Sequence, residues 1–443
     1  MLNPDQYGFR KHRSTTAKIL RSIDQISIKL AKNLPFDSIQ LDLSKAFDKL
    51  SIAKLIEAAM NIGISGKLLS WLKSYLTGRT LSVKVEDTYS REIPMKSGVP
   101  QGSVLGPILF LIAVNGLPNN CPERELLLAF ADDSELGDEA NKPEKLQSTL
   151  TNYNDCCKML GLQLNAEKCE ILHYGANNPL NGYTIEGIEL PTVDSTRDLG
   201  VTRSTDNKPN LHINSIIKKG NNMFRFFLAS FVDRSQKTVL KVYKTYIRSI
   251  LDYASPSWNP HYATIVVSLE RLQKRVVNII DDINQDLPYS EKLKILKLYS
   301  LQRRRERYDL CFLWKYLRSG SNYLTIERTP VTTLPRSARH NYHLTDVADL
   351  QNYQKLKTIR SHTFVPRVVD LWNLLPGHIV QATSIDTFKR KLDLFMSTIE
   401  DKPLPDEINN TCTIKEAVEN NQLLAYLRLR RVRDEFMSSP SNS

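Results

Sequence analysis

The chain has 443 residues, of which 41% are hydrophobic and 24% charged, with a net charge of +12. That length allows about two to four domains with sizeable cores, and no apolar run approaches the ~18 residues of a membrane helix. The opening Met-Leu-Asn-Pro-Asp-Gln has no signal-peptide pattern, and the cysteines at 121, 156, 157, 169, 311 and 412 form neither a disulfide framework nor a CxxC zinc pair, which points to a reducing compartment. Charge is uneven: residues 1–200 carry 22 Lys and Arg against 24 Asp and Glu, and the remainder 38 against 24. A near-neutral half joined to a basic half fits a catalytic module followed by one that grips a polyanion.

In chain order, the spacing predicts a helix over 14–33, with Ser14 as cap and Ile19, Ile23, Ile26 and Leu30 on one face. Leu34-Pro35 ends it. Residues 39–43 alternate as a strand, with Leu41 and Leu43 on one side and Gln40 and Asp42 on the other. Further helix covers 51–76, and 81–85 with 91–95 read as a hairpin. Ser97 to Ser103 is a loop, and an apolar helix over 104–117 follows, capped by Ser103, with free amides at its start for an anion. Leu126 to Phe130 reads as a short buried strand running into Asp132-Asp133. An amphipathic helix is predicted over 142–160. Short strands at 162–164 and 170–174 flank Asn165 to Cys169, and strand-like pieces continue to Val201.

Helices dominate after that, over 211–227, 236–251 and 265–280. Lys237, Lys241, Lys244 and Arg248 fall on one stripe of the second, and Arg271, Lys274 and Arg275 repeat the design in the third. Cations without interleaved Glu suit a face that tracks phosphates. Arg303-Arg304-Arg305-Glu306-Arg307 adds a basic run. Residues 320–345 read as loop-rich, helix resumes at 368–374 and 387–399, and a basic helix at 422–435 precedes a Ser/Pro-rich disordered tail.

Asp132 and Asp133 side by side repel each other and lose solvation unless a cation joins them. Asp42, at the end of another predicted strand, can converge on them. Carboxylates held this way suit a pair of divalent ions, and oxygen donors select magnesium or manganese rather than zinc. Such a site serves in-line phosphoryl transfer.

Taken in order, the segments resemble the reverse transcriptase of non-LTR (LINE-type) retrotransposons of the jockey and chicken-repeat kind. Gln6-Tyr7-Gly8-Phe9-Arg10 with Ser14-Thr15 is similar to the segment upstream of the palm. Leu41 to Asp48 resembles motif A, Gly98 to Pro107 motif B, Phe130-Ala131-Asp132-Asp133 motif C, and Gly161 to Asn165 through Lys168 motif D. Leu199-Gly200-Val201 falls where the primer grip is expected. Ile250 to Tyr253 through Trp258-Asn259-Pro260 resembles a thumb signature, and Val368 to Pro376 a C-terminal box.

The resemblance implies an α/β (α+β) right-hand polymerase palm with partial fingers, an all-α thumb and a mostly α C-terminal region. The implied divisions are 1–36 fingers, 37–204 palm, 205–290 thumb, 291–400 C-terminal helices and 401–443 a basic polar tail. It implies an RNA-directed DNA polymerase that uses two Mg²⁺ or Mn²⁺ ions, an RNA template, a DNA primer and deoxynucleoside triphosphates, in the nucleus. Asp42 and Asp132 are the implied metal ligands, supported by Asp133. The backbone of Leu43 and Ser44 lies near the triphosphate, and Phe47 matches the steric gate against a 2′-hydroxyl, where the residue alone reads equally well as a core aromatic. Gln101 and Gly102 line the nucleotide and template base, Lys168 is the general acid for pyrophosphate, and Asp48 serves structure.

Glu135 stands where the family commonly has Lys and adds negative charge near the metals. The match opens in mid-pattern, which implies that the basic fingers segment and the apurinic-type endonuclease of complete elements are missing. The alternative reading is a non-catalytic nucleic-acid-binding remnant. A group II intron maturase shares the palm, but the boxes at 250–260 and 364–376 argue against it.

Overall fold

The computed structural model describes residues 2–121, 124–334, 338–348, 360–399 and 401, so the predicted helix at 422–435 and the tail lie outside the described residues. The chain divides into two compact units, Met1–Asn207 and Lys208 onward.

The first unit begins with α1 (Thr15–Ala31), whose Ser14 cap accepts the Ala17 amide. β1 (Phe36–Leu41) follows, then a single helical turn, α2 (Ala46–Lys49). Helices α3 (Ile52–Asn61) and α4 (Gly66–Leu76) come next. The predicted hairpin forms in two short pieces, Thr80–Leu81 with Ile93–Pro94 and Lys84–Val85 with Thr88–Tyr89. Helix α5 (Gly106–Val114) is apolar all round and buried from Leu109 to Val114, with Ile108 exposed in its first turn.

Strands β2 (Leu126–Phe130), β3 (Asp133–Glu139) and β4 (Glu170–Tyr174) join β1 in one antiparallel sheet of order β2-β3-β1-β4. Period-two alternation gives this sheet two different faces. Ile39, Leu41, Leu127, Leu136 and Ile171 enter the main hydrophobic core with Phe110 of α5 and with Leu150 and Tyr153 of α6 (Pro143–Met159). The other face is polar at its centre and meets α1: Glu135 Oε1 accepts from Ser22 and Ser38, and the Lys18 ammonium lies 3.0 Å from Glu135 Oε2. The strand predicted at 162–164 reduces to a single bridge, Leu164 to Leu43. A last hairpin pairs β5 (Ser195–Asp198) with β6 (Val201–Ser204), and its Leu199-Gly200 turn has both φ angles positive, as a tight right-twisted hairpin demands.

The second unit is mainly helical: α7 (Asn210–Ser230), α8 (Gln236–Val242), α9 (Arg248–Asp252), α10 (Ala263–Val277), α11 (Tyr289–Leu296), α12 (Leu301–Arg318), α13 (Phe364–Leu374) and α14 (Ile385–Ser397). Gly220 lets α7 press on α10, since a Cβ there would lie 2.6 Å from a Leu272 methyl. The predicted helix over 236–251 is interrupted by a π turn, Tyr243–Ile247. Within the loop-rich 320–345, Ile326–Arg328 pairs with Leu344–Asp346.

The basic run at 303–307 does not form a phosphate-binding surface. It sits in α12, where Arg303 and Arg305 are buried, Arg304 makes a forked contact to Asp252 (2.8–3.0 Å), and Arg307 binds Asp393 (2.5–2.8 Å). Guanidinium groups suit such internal ion pairs because their planar fork matches a carboxylate.

Candidate active site

Asp42 follows β1 directly, and Asp132 lies in the turn between β2 and β3. In the register, Leu41 is opposite Ser134 and Phe130 opposite Asp133, so both sites open at the same end of the sheet. Asp42 and Asp132 are half-buried and Asp133 is exposed. Partial burial raises the Asp132 pKa, and the Asp42 carboxylate adds to the rise. Although Asp133 reaches solvent, the protein around its carboxyl pushes its pKa up to about 6, first by desolvation, then through Asp132, Asp198 and Asp42, with Lys18 opposing. Three acids crowded at one strand end repel one another, and a divalent cation relieves that repulsion.

Among the described residues, no three His, Cys, Asp or Glu side chains form a cage that could hold a metal alone. Magnesium fits a less enclosed site, since it is commonly held by one or two carboxylates with water and substrate phosphates completing its shell. The donors here are carboxylate oxygens, which match that ion.

The turn carrying Asp132 has two residues, Ala131 and Asp132, with Ala131 at φ 58°. A positive φ at the first turn residue is the position glycine favours in type II′ hairpins. The segment 5–8 runs alongside: Tyr7 N donates to Ala129 O (2.7 Å), and Ala129 N to Asp5 O (2.9 Å).

After Asp42 the chain crosses to 163–165. Asn165 N donates to Asp42 O and Ser44 N to Gln163 O, each at 2.9 Å, so the Ser44 amide is already engaged. Leu43 is buried in the core. Phe47 is half-buried, stacked on Phe110 at 4.2 Å between centroids, with Phe9 edge-on at 6.4 Å.

The 97–103 loop is bonded along the segment around α2. Ser97 Oγ donates to Asp48 O, Gly98 N to Leu50 O and Val99 N to Phe47 O, all at 2.8 Å. Gln101 Nε2 donates to Asp48 Oδ1 at 2.6 Å. Gly98, at φ 83°, cannot be replaced without collision, because a Cβ would lie 2.6 Å from Phe47 O. Gln101 and Gly102 are exposed, and Ser103 Oγ accepts the Gly106 amide (3.0 Å) at the head of α5.

Lys168 is exposed on the 3₁₀ turn Ala166–Lys168, and no ion pair joins it to Asp42, Asp132 or Asp133. Glu135 does not add an uncompensated charge to the site. It is fully buried between Lys18 and Arg203 (Nη1 at 2.8 Å), and Lys18 also binds Asp198 at 2.8 Å. Although burial alone would raise its pKa, Arg203 and Lys18 hold the Glu135 carboxyl far below the usual range.

In the second unit Lys237, Lys241, Lys244, Arg271 and Arg275 are exposed and Lys274 is half-buried. Arg248 leaves the stripe. The π turn advances the helix by an extra residue, and Arg248 is half-buried with its Nε 3.6 Å from Asp252. Arg275 donates to Asn221 (2.7 Å).

Residues 1–203 match the family described as reverse transcriptase (RNA-dependent DNA polymerase). The first compact unit, Met1–Asn207, is thus the part of the chain that is similar to a reverse transcriptase domain. The chain is similar to the "Probable RNA-directed DNA polymerase from transposon BS" of Drosophila melanogaster, 31% identical over 217 residues, covering 45% of this chain and 23% of that protein. It is also similar to the "RNA-directed DNA polymerase from mobile element jockey" of Drosophila funebris, 27% identical over 289 residues, covering 62% and 31%. The chain thus spans less than a third of the length of these relatives, which are polymerases of non-LTR retrotransposons. The structure of a Candida Tropicalis telomerase, "in complexe with TWJ fragment of telomeric RNA", is matched over 88% of this chain and 53% of that chain at 15% identity, with a TM-score of 0.39. The reverse transcriptase family depends on divalent metal ions. Among the described residues no helix is long and apolar enough to cross a membrane.

Sequence reasoning singled out Gln6 to Arg10 without a role for any of them, and it missed Lys18 and Arg203. The signal for Lys18 was available: it stands four residues before Ser22, so both lie on one face of α1.

Proposed function

We propose that this chain is the polymerase portion of a non-LTR retrotransposon protein, extending a DNA 3′-hydroxyl on an RNA template. The observation that carries this reading is the meeting of Asp42 and Asp132 at one end of the sheet, in a domain whose relatives are RNA-directed DNA polymerases. Residues 37–204 are the palm, 1–36 part of the fingers, 205–290 the thumb, 291–400 a C-terminal helical region and 401–443 a basic tail.

Asp42 and Asp132, with Asp133 in support, are the residues that hold two divalent ions. When bound, those ions supply charge stabilisation for in-line attack and for the departing pyrophosphate. The chain's own residues do the positioning. Leu43 and Ser44 border the triphosphate, and since the Ser44 amide is engaged, its hydroxyl is the group left to offer. Phe47, braced against Phe110, stands beneath the sugar and excludes a 2′-hydroxyl. Gln101 and Gly102 line the nucleotide and the template base. Lys168, exposed and unpaired with the acids, donates a proton to pyrophosphate. Lys237, Lys241, Lys244, Arg271, Lys274 and Arg275 track the template–primer backbone.

The test is primer extension on an RNA template with Asp42→Asn and Asp132→Asn. Both variants should keep the wild-type unfolding midpoint and lose extension. Wild-type extension by either variant would remove the metal assignment.

A further inference from the structure

Gln6 lies against the Asp132 turn and is buried, at 6% exposure. Its Oε1 accepts the amides of Ala131 (2.9 Å) and Gly8 (2.8 Å), and its Nε2 donates to Ala131 O (3.3 Å). A single carboxamide therefore satisfies both backbone groups of the residue before Asp132. Ala131 is itself 8% exposed, so without Gln6 those groups would be buried and unpaired.

Ala131 also needs outside support. A non-glycine residue at φ 58° crowds its Cβ against the backbone, and such a conformation persists where its surroundings fix it. Gly8 reports how closely they do so: a Cβ there would lie 2.5 Å from Ala131 N and 3.1 Å from Phe130 C. The supporting segment is tied down in turn. Asn3 N donates to Asn115 Oδ1 (2.7 Å), Asn3 Nδ2 to Asn119 Oδ1 (3.2 Å), and Arg124 pairs with Asp5 (2.7 Å).

We infer that Gln6 is a positioning residue for Asp132: its carboxamide fixes the Ala131 turn so that the Asp132 carboxylate is held where it shares a cation with Asp42. This rests on the metal-binding reading above. Gln6 touches no reacting atom and acts only through the turn, as the outer partners of metal ligands do.

The test uses the full chain as wild type and as Gln6→Ala, Gln6→Met and Asp132→Asn. Mn²⁺ affinity is read by electron paramagnetic resonance, the Ala131 amide by hydrogen exchange, and folding by the thermal midpoint. Gln6→Met keeps the side-chain volume and removes the hydrogen bonds. Both Gln6 variants should exchange the Ala131 amide faster and bind Mn²⁺ about tenfold more weakly, with the sheet still protected. Unchanged exchange at Ala131, or wild-type Mn²⁺ affinity in Gln6→Met, overturns the inference. Wild-type Mn²⁺ affinity in Asp132→Asn overturns the metal reading and, with it, the role given to Gln6. Weakened binding in Asp132→Asn beside full binding in Gln6→Met overturns the Gln6 role alone.

Discussion

Gln101 is bound to Asp48 by a 2.6 Å hydrogen bond from Nε2 to Oδ1, which couples the 97–103 loop to the helical turn α2, 53 residues away in sequence. The bond to the Asp48 side chain holds an exposed amide that would otherwise rotate freely. Asp48→Ala should therefore loosen Gln101 without unfolding the domain. We expect KM for the incoming nucleotide to rise about tenfold with kcat changed less, because a positioning contact is lost rather than a reacting group. Steady-state primer extension measures the split, and an unchanged KM would remove Asp48 from this role.

The buried cluster of Lys18, Glu135, Asp198 and Arg203 predicts a large stability effect. Lys18 bridges Glu135 at 3.0 Å and Asp198 at 2.8 Å, and all four residues are at most 5% exposed. Removing one partner strands buried charge, at a cost of about 3–5 kcal/mol. Lys18→Met should show that loss in urea unfolding. A loss below ~1 kcal/mol would mean that Arg203 alone compensates both acids.

Strands β1, β2 and β4 and the approach of Asp42 to Asp132 could be anticipated from sequence, because short apolar runs ending in acids are local signals, whereas β3 (Asp133–Glu139) carries four acids and no apolar run. Lys18 and Asp198 are 180 residues apart, and no local pattern announces that one neutralises the other. Gln6 was equally silent, since an amide that satisfies a turn looks like any polar residue until the turn is in place. In the second unit, α12 was hidden by its own arginines: a basic run reads as solvated surface, yet Arg303 and Arg305 face inward. The π turn at Tyr243–Ile247 breaks the periodicity used to align Arg248 with the lysines, and Arg248 is half-buried beside Asp252 where the lysines are exposed.

Glu270 gives the second unit a pH dependence. It is buried and accepts from Tyr289 Oη (2.7 Å), Gln273 Nε2 (3.0 Å) and Leu301 N (2.8 Å), and burial pushes its pKa from 4.5 to about 7. The folded state thus binds a proton more tightly than the unfolded state. Its contribution is complete below pH 4.5 and lost as pH rises through about 7. The swing is about 3 kcal/mol, and Glu270→Gln should flatten it. Urea midpoints of both proteins across that window give the difference. Parallel pH profiles would assign the titration to another group.

The stripe on α8 and its π turn predicts which cations engage nucleic acid. Lys237, Lys241 and Lys244 are exposed, whereas Arg248 is half-buried beside Asp252. Each phosphate neutralised contributes about 0.7–0.9 to the slope of log affinity against log salt. Replacing the three lysines by Ala should lower that slope by roughly 2–3 on a template–primer duplex. Arg248→Ala should leave the slope nearly unchanged, because its guanidinium is half-buried over the Tyr243 ring and beside Asp252 rather than exposed with the lysines. A loss on Arg248→Ala matching that of a single lysine would show that the guanidinium turns outward to meet the backbone.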